Sequence, residues 1–241
     1  MSEQARLGGR LAGRIALVTG ASRGIGAAVA KRFAAEGAQL ILLARTESRM
    51  EEIDDAIRSA SGRSAHLVPL DLCQFDAFDE LGASLKERFG RLDILANVAG
   101  VGGLHSSLVD VEPEEWAKFL NVNLTASWRL IRSLDPLLRL SEAGRTIFVT
   151  SGAVRRIAGY RGPYAVSKAA LEMLVKTYAA EIAETRICAN LVDPGRVRTQ
   201  MRAQDRPEED PMTLTAPEDI TEVFVDLAEV NCAKNGEIVL A

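Results

Sequence analysis

Short runs that are apolar at nearly every position alternate along this chain with stretches that are apolar only at helical spacing, and this alternation limits the possible folds more than any other feature. The first run is Ile15–Ala16–Leu17–Val18–Thr19 and the second is Gln39–Leu40–Ile41–Leu42–Leu43–Ala44. Further strand candidates lie at 65–70, 92–96, 146–150 and 186–192. A strand that is apolar on both sides belongs in a sheet covered by helices on each face. A helical pattern through Ala27, Val29, Ala30, Phe33 and Ala34 stops at Gly37, and others span 47–60, 74–89, 113–139 and 161–183. The order predicts an α/β fold with a doubly wound, mostly parallel sheet. Without repeats, low-complexity tracts or a linker, residues 1–241 read as one domain, with 1–13 a flexible N-terminus. Residues 196–217 are polar and proline-bearing without clear periodicity, which predicts a lid over a site or, alternatively, a solvated excursion.

Composition narrows the function. Lys plus Arg is 29 and Asp plus Glu is 33, so the net charge is 29 − 33 = −4. That balance offers no broad basic surface for nucleic acid. Three cysteines (Cys73, Cys188, Cys232) make no disulfide framework, and two histidines argue against a multi-histidine metal site. Apolar runs are too short to span a bilayer, and the first thirteen residues hold no apolar signal core, so no membrane partner and a cytoplasmic location are expected.

Thr19–Gly20–Ala21–Ser22–Arg23–Gly24–Ile25–Gly26 joins the first strand to the first helix. Glycines let backbone approach a phosphate, and the helix start favours negative charge. Plain turn chemistry is the alternative; the strand–turn–helix setting favours a dinucleotide. The end of the second strand carries Arg45 and no acid until Glu47, and Arg23 sits in the loop. Guanidinium matches phosphate geometry, so NADP(H) is preferred over NAD(H) unless both arginines are merely solvated.

Tyr164 and Lys168, four apart on a helical pattern, project the same way about 6 Å apart along the axis. A neighbouring ammonium lowers a phenol pKa, so such a tyrosine could exchange a proton with an alcohol or carbonyl near neutral pH. Taken alone, the spacing is also that of a surface pair. Ser151 after the fifth strand and Asn97 at the end of the fourth stand on the edge where ligands bind in such sheets. Asn123 within a helical pattern suggests an inward polar network.

Together Thr19–Gly20–x3–Gly24–x–Gly26, Asn97–x–Ala99–Gly100, Asn123, Ser151, Tyr164–x3–Lys168 and Pro194–Gly195 resemble the short-chain dehydrogenase/reductase family over nearly the whole chain. The resemblance implies a seven-stranded Rossmann-type sheet and hydride chemistry between a nicotinamide cofactor and a small carbonyl or secondary-alcohol substrate. It makes Tyr164 the general acid/base, Ser151 the donor to the substrate oxygen, Lys168 the ribose-holding and pKa-lowering cation, and Asn123 the holder of a relay water. It puts Asp71 near the adenine, and Pro194, Gly195 and Thr199 along the nicotinamide. Gly20, Ser22, Gly24, Ile25, Gly26, Leu72, Asn97, Ala99, Gly100 and Val197 complete the expected cofactor contacts. Relatives pair through helices corresponding to 113–139 and 161–183, which implies a homodimer or homotetramer; the chain stops at 236–241, without the family's glycine-rich tail. Within the family it looks closest to a bacterial subgroup, on Thr199–Gln200–Met201–Arg202 and Glu209–Asp210–Pro211. A fold-retaining, catalytically idle regulator is the rival reading.

Arg155, Arg156 and Arg161 lie between Ser151 and Tyr164, and Arg196, Arg198 and Arg202 follow Gly195. They could draw in an anionic carbonyl compound, or be solvated or pair with the acids at 208–210. His66 and His105 read as structural or loop residues.

Overall fold

The computed structural model describes residues 8–241. Seven strands form one sheet: β1 (Ile15–Thr19), β2 (Gln39–Ala44), β3 (His66–Pro69), β4 (Ile94–Asn97), β5 (Arg145–Val149), β6 (Cys188–Asp193) and β7 (Ile238–Leu240). Their order is β3-β2-β1-β4-β5-β6-β7, and every neighbouring pair is parallel.

The period-2 alternation of side chains explains why the strand sequences are apolar throughout. Leu17, Ile41, Leu43, Leu95 and Phe148 face one core, packed by α3 (Ala77–Phe89), α5 (Ala126–Leu138) and α6 (Gly162–Glu181). Val18, Leu40, Leu42, Ala96 and Ile147 face the other, packed by α1 (Gly24–Ala35), α2 (Glu47–Ser61) and α8 (Thr221–Ala228). Each fully buried Leu, Ile or Phe stabilises the fold by about 1.5–3 kcal/mol before chain entropy is set against it. Among the described residues, no helix is long and apolar enough to cross a membrane.

Local structure departs from expectation in three places. The helical stretch expected over 113–139 is divided into α4 (Pro113–Leu120), a π-helical turn (Asn121–Thr125) and α5. The dividing residues include two asparagines and a threonine, which support a helix poorly. Residues 196–217 are an ordered excursion, pinned at its base by a Val197–Thr215 bridge and carrying α7 (Gln200–Asp205). Finally, Met1–Leu7 lie outside the described residues, but residues 8–13 are packed rather than loose. Leu11 is buried, its amide donates to the Glu36 carbonyl, and Arg10 donates to Glu222, Asp226 and Glu229 around α8.

Candidate active site

In a sheet of this order the chain adds strands outward in opposite senses from the β1–β4 boundary, and a cleft of 560 Å³ opens along the carboxyl edge there. Its floor begins at the loop from β1 into α1. Gly24 adopts a φ of +54°, and a Cβ on Gly26 would stand 2.2 Å from the Gly20 carbonyl oxygen, so only glycine lets helix and strand approach this closely. The N-cap, Arg23, is extended with no side-chain cap, and the first turn carries no acid. Helix amides and dipole are thus left for an anion, and the cradle suits a phosphate group. Gly20, Ser22, Arg23, Gly24, Ile25 and Gly26 all line the cleft.

At the end of β2, Arg45 is exposed on the cleft wall, with Nη1 3.8 Å from the Asp71 carboxylate. Asp71 is itself fixed in a turn, accepting from the Cys73 amide at 2.9 Å. Arg49 lines the same wall. It lies in the first turn of α2, just past the strand end where the sequence predicts the cation. Arg23, also on the cleft, donates through Nη1 to Gln200 of α7 at 2.6 Å, joining the glycine loop to the excursion.

Ser151, Tyr164 and Lys168 meet at the other end of the cleft, with Ala99, Gly100, Pro194, Gly195, Val197, Thr199, Asp71 and Leu72 also on its wall. The Ser151 hydroxyl shares this wall with the Tyr164 phenol and accepts from the Ala153 amide at 3.2 Å. Lys168 is buried, and its Nζ donates to the Val149 carbonyl at 2.8 Å. Burial lowers its pKa from 10.5 to about 8. Tyr164 differs from the expectation that Lys168 depresses its phenol: burial pushes the pKa up, and the carboxylates of Asp205 and Asp193 add to that, against the lowering effect of the nearby Ser151 hydroxyl. The resting phenol is therefore neutral, a proton donor rather than a phenolate.

Lys168 gives stability a pH signature. Its folded pKa of about 8 lies below the unfolded value near 10.4, so between them the unfolded chain holds a proton that the folded chain has released. Stability contributed by this group therefore rises from about pH 8 to 10, by up to about 1.4 kcal/mol per pH unit. Urea midpoints of wild type and Lys168→Met over that range should diverge in favour of the wild type as pH rises. Parallel curves would show that the ammonium is better solvated than its burial implies.

The two asparagines stand behind the wall and not on it. Asn97 is buried; its Oδ1 accepts from Thr19 at 2.7 Å and its Nδ2 donates to Ser127 at 2.8 Å. Thr19 in turn accepts from the Val98 and Ala99 amides, fixing the turn after β4. Ser127 donates to the Asn123 carbonyl, and Asn123 Nδ2 donates to Ser167 at 2.9 Å and to the Val101 carbonyl. Asn123 Oδ1 accepts from the Val101 amide, and Ser167 donates to the Tyr164 carbonyl. One chain of polar contacts thus runs from β1 to the helix that carries Tyr164. It leaves the Asn123 amide no spare donor for a relay water. Thr19, Ser127 and Ser167 escape sequence reasoning because each looks like an ordinary small polar residue until its partners are known.

The arginines divide. Arg155 is held by Glu172 and Asp193, behind Ser151; Arg202 donates twice to Glu209, with Arg196 beside it. These three serve internal carboxylates and do not form an open anion funnel. Arg161 lines the cleft, paired with Asp205 at 2.8 Å. The 196–217 excursion lies across this end: Met201 would be 3.2 Å from a Cβ on Gly102, beside the Tyr164 ring.

An α/β sheet with a glycine-turn cradle at one end of its cleft and a serine, tyrosine and lysine at the other is the arrangement of a nicotinamide-dependent oxidoreductase. The sequence profile of the short chain dehydrogenases matches residues 14–210, and the chain belongs to that family as a short-chain dehydrogenase/reductase. It is similar to the oxidoreductase YciK of Escherichia coli K12, with 36% identity over 214 residues, 88% of this chain and 84% of that protein. A solved structure of E. coli yciK superposes with a TM-score of 0.92 at 33% identity, covering 100% of this chain and 98% of that one. A short chain dehydrogenase structure from E. coli CFT073 complexed with NADPH gives a TM-score of 0.92 at 34% identity, over 96% and 97% of the two chains.

Proposed function

We propose that the protein interconverts a small carbonyl compound and its secondary alcohol with NADP(H). The observation that carries this reading is the meeting of Ser151, Tyr164 and Lys168 at one end of a cleft whose other end is the α1 cradle. The NADPH in the similar E. coli CFT073 structure supports the cofactor.

In this reading the amides at the start of α1 and Gly20–Gly26 hold the pyrophosphate, while Arg45 and Arg49 take the 2′-phosphate as forked donors. Asp71 and Leu72 flank the adenine; Ala99, Gly100, Pro194, Gly195, Val197 and Thr199 border the nicotinamide ribose and ring. When bound, the cofactor supplies or accepts the hydride. Ser151 donates to the substrate oxygen, and Tyr164, neutral at rest, gives that oxygen its proton during reduction. Lys168 holds the ribose and stabilises negative charge as it develops on the phenol oxygen. Asn123 acts by position, fixing Val101 and the Ser167 turn. Half-exposed Trp128 on α5, with Val166 and Met173 on α6, would be covered in a homodimer or homotetramer. A cytoplasmic enzyme fits the same reading.

Fluorescence titration with NADPH and with NADH tests it. One charge-assisted phosphate contact of about 1.5–3 kcal/mol corresponds to roughly tenfold to a hundredfold preference for NADPH. Arg45→Ala and Arg49→Ala should each narrow that gap by weakening NADPH alone. Tighter NADH binding would overturn the cofactor assignment, and no binding of either would favour an idle regulator.

A further inference from the structure

Asp205, the last residue of α7, is the one carboxylate that enters the substrate end of the cleft beside Tyr164 from the 196–217 excursion. One of its oxygens accepts from Arg161 Nη2 at 2.8 Å, and the other lies 2.8 Å from His105 Nε2. Arg206 reaches the first of these oxygens only at 4.0 Å. The two close partners come from separate segments. Arg161 immediately precedes α6, three residues before Tyr164, and His105 lies between β4 and α4, next to the Ser106–Arg161 bridge. Arg161 and Asp205 keep only 17% and 15% of their side-chain surface exposed, so this pair is a fitted contact and not a solvated one.

The element that carries Asp205 is short and joined to the body of the molecule mainly by side chains. Arg202 and Glu209 pair within the excursion itself, and besides the Asp205 contacts α7 meets the rest of the molecule through the Arg23–Gln200 bond, Thr199 at Gly24 and Met201 over Gly102. A guanidinium and an imidazole converge on a two-oxygen anion, and both Arg161 and that anion line the cleft that Tyr164 lines. A substrate carboxylate could make the same two contacts, and exchanging one carboxylate for another leaves the desolvated guanidinium paired in both states.

We propose that Arg161 and His105 form an anion subsite of the substrate pocket, that Asp205 occupies it as an internal stand-in, and that the substrate is a ketone or secondary alcohol bearing a carboxylate. This rests on the oxidoreductase reading above and names its substrate class. Anchoring the carboxylate at Arg161 directs a short molecule along the cleft toward Tyr164 and Ser151, while the displaced α7 carries Asp205 away. Neutral carbonyl compounds would leave the Asp205 contacts in place and gain nothing from the pair.

The test is calorimetric titration with acetoacetate and with methyl acetoacetate, each with and without NADP+, on wild type, Asp205→Asn and the Asp205→Asn/Arg161→Gln double variant. An internal competitor reduces apparent affinity by the fraction of time it holds the site, so Asp205→Asn should bind acetoacetate about tenfold more tightly than wild type. The ester should be unaffected, and the double variant should lose the gain. Asp205→Ala takes the place of Asp205→Asn if that variant fails to fold. Equal gains for acid and ester, no gain for the acid, or weaker binding of both would overturn the subsite and leave Asp205 as a latch of the excursion. Failure of wild type to bind NADPH would overturn the oxidoreductase reading instead, and the titrations without NADP+ would still decide the subsite.

Discussion

Tyr164→Phe should lower NADPH-dependent turnover by about 10²–10⁴-fold, the usual contribution of a positioned general acid, while NADPH affinity stays as in the wild type. The substitution removes one oxygen and keeps the ring against Met201 and Gly102, so the packing of the cleft is retained. The missing group is the phenol that burial holds neutral, the proton donor of the proposed mechanism. Ser151→Ala should cost less, since the serine orients and donates but transfers no proton to the product. The measurement is single-turnover oxidation of bound NADPH, followed by absorbance, with any carbonyl compound that the wild type reduces. Because the step is read from preformed complexes, weak substrate binding is separated from slow chemistry. A Tyr164→Phe enzyme with wild-type single-turnover rate would place the proton elsewhere and remove Tyr164 from the mechanism.

Much of the scaffold was legible because its signals are local. β1 and β2 are uninterrupted apolar runs bounded by a glycine turn on one side and charged residues on the other, and the structure keeps their limits. α8 carried no such signal: Val223, Phe224, Val225, Leu227 and Ala228 crowd an eight-residue helix with apolar side chains, so no period separates a buried face from an exposed one. The glycine loop and the Tyr164–Lys168 pair were legible as motifs, each held within one turn of chain. What stayed hidden depends on partners far apart in sequence. Arg155 reads as a substrate-facing cation until Glu172 and Asp193 close on it. His105 reads as a loop residue until Asp205, one hundred positions later, meets its ring. Asn97 and Asn123 sit where ligand contacts are expected, but the pleat and the π-helical turn direct both inward, to hold backbone that does reach the cleft.

Asp193→Ala should destabilise the fold by about 2–4 kcal/mol and lower turnover as well, because one carboxylate clamps both sides of the nicotinamide end. Asp193 ends β6 almost fully buried. Its Oδ1 accepts from the Gly152 amide at 3.1 Å and from the Gly195 amide at 3.2 Å, while Oδ2 accepts from Arg155. Arg155 also donates to Glu172 at 3.1 Å, and Glu172 accepts from Thr150 at 2.6 Å. Ser151 is therefore gripped on both sides, through Thr150 to Glu172 and through Gly152 to Asp193. Alanine would strand two amides and leave Arg155 with one carboxylate; the half-exposed guanidinium keeps the loss below that of a fully buried pair. Asparagine retains an acceptor for both amides and gives up only the charge, so Asp193→Asn should recover most of the stability. The kinetic effect follows from geometry: a shift of about 1 Å in Ser151 or Gly195 is enough to cost up to about a hundredfold in turnover. Urea denaturation at one fixed protein concentration, with single-turnover rates on the same samples, separates the two effects. Should Asp193→Ala lose turnover while keeping its urea midpoint, the clamp positions Ser151 without supporting the fold; unchanged values of both would mean that the loops hold their places without it.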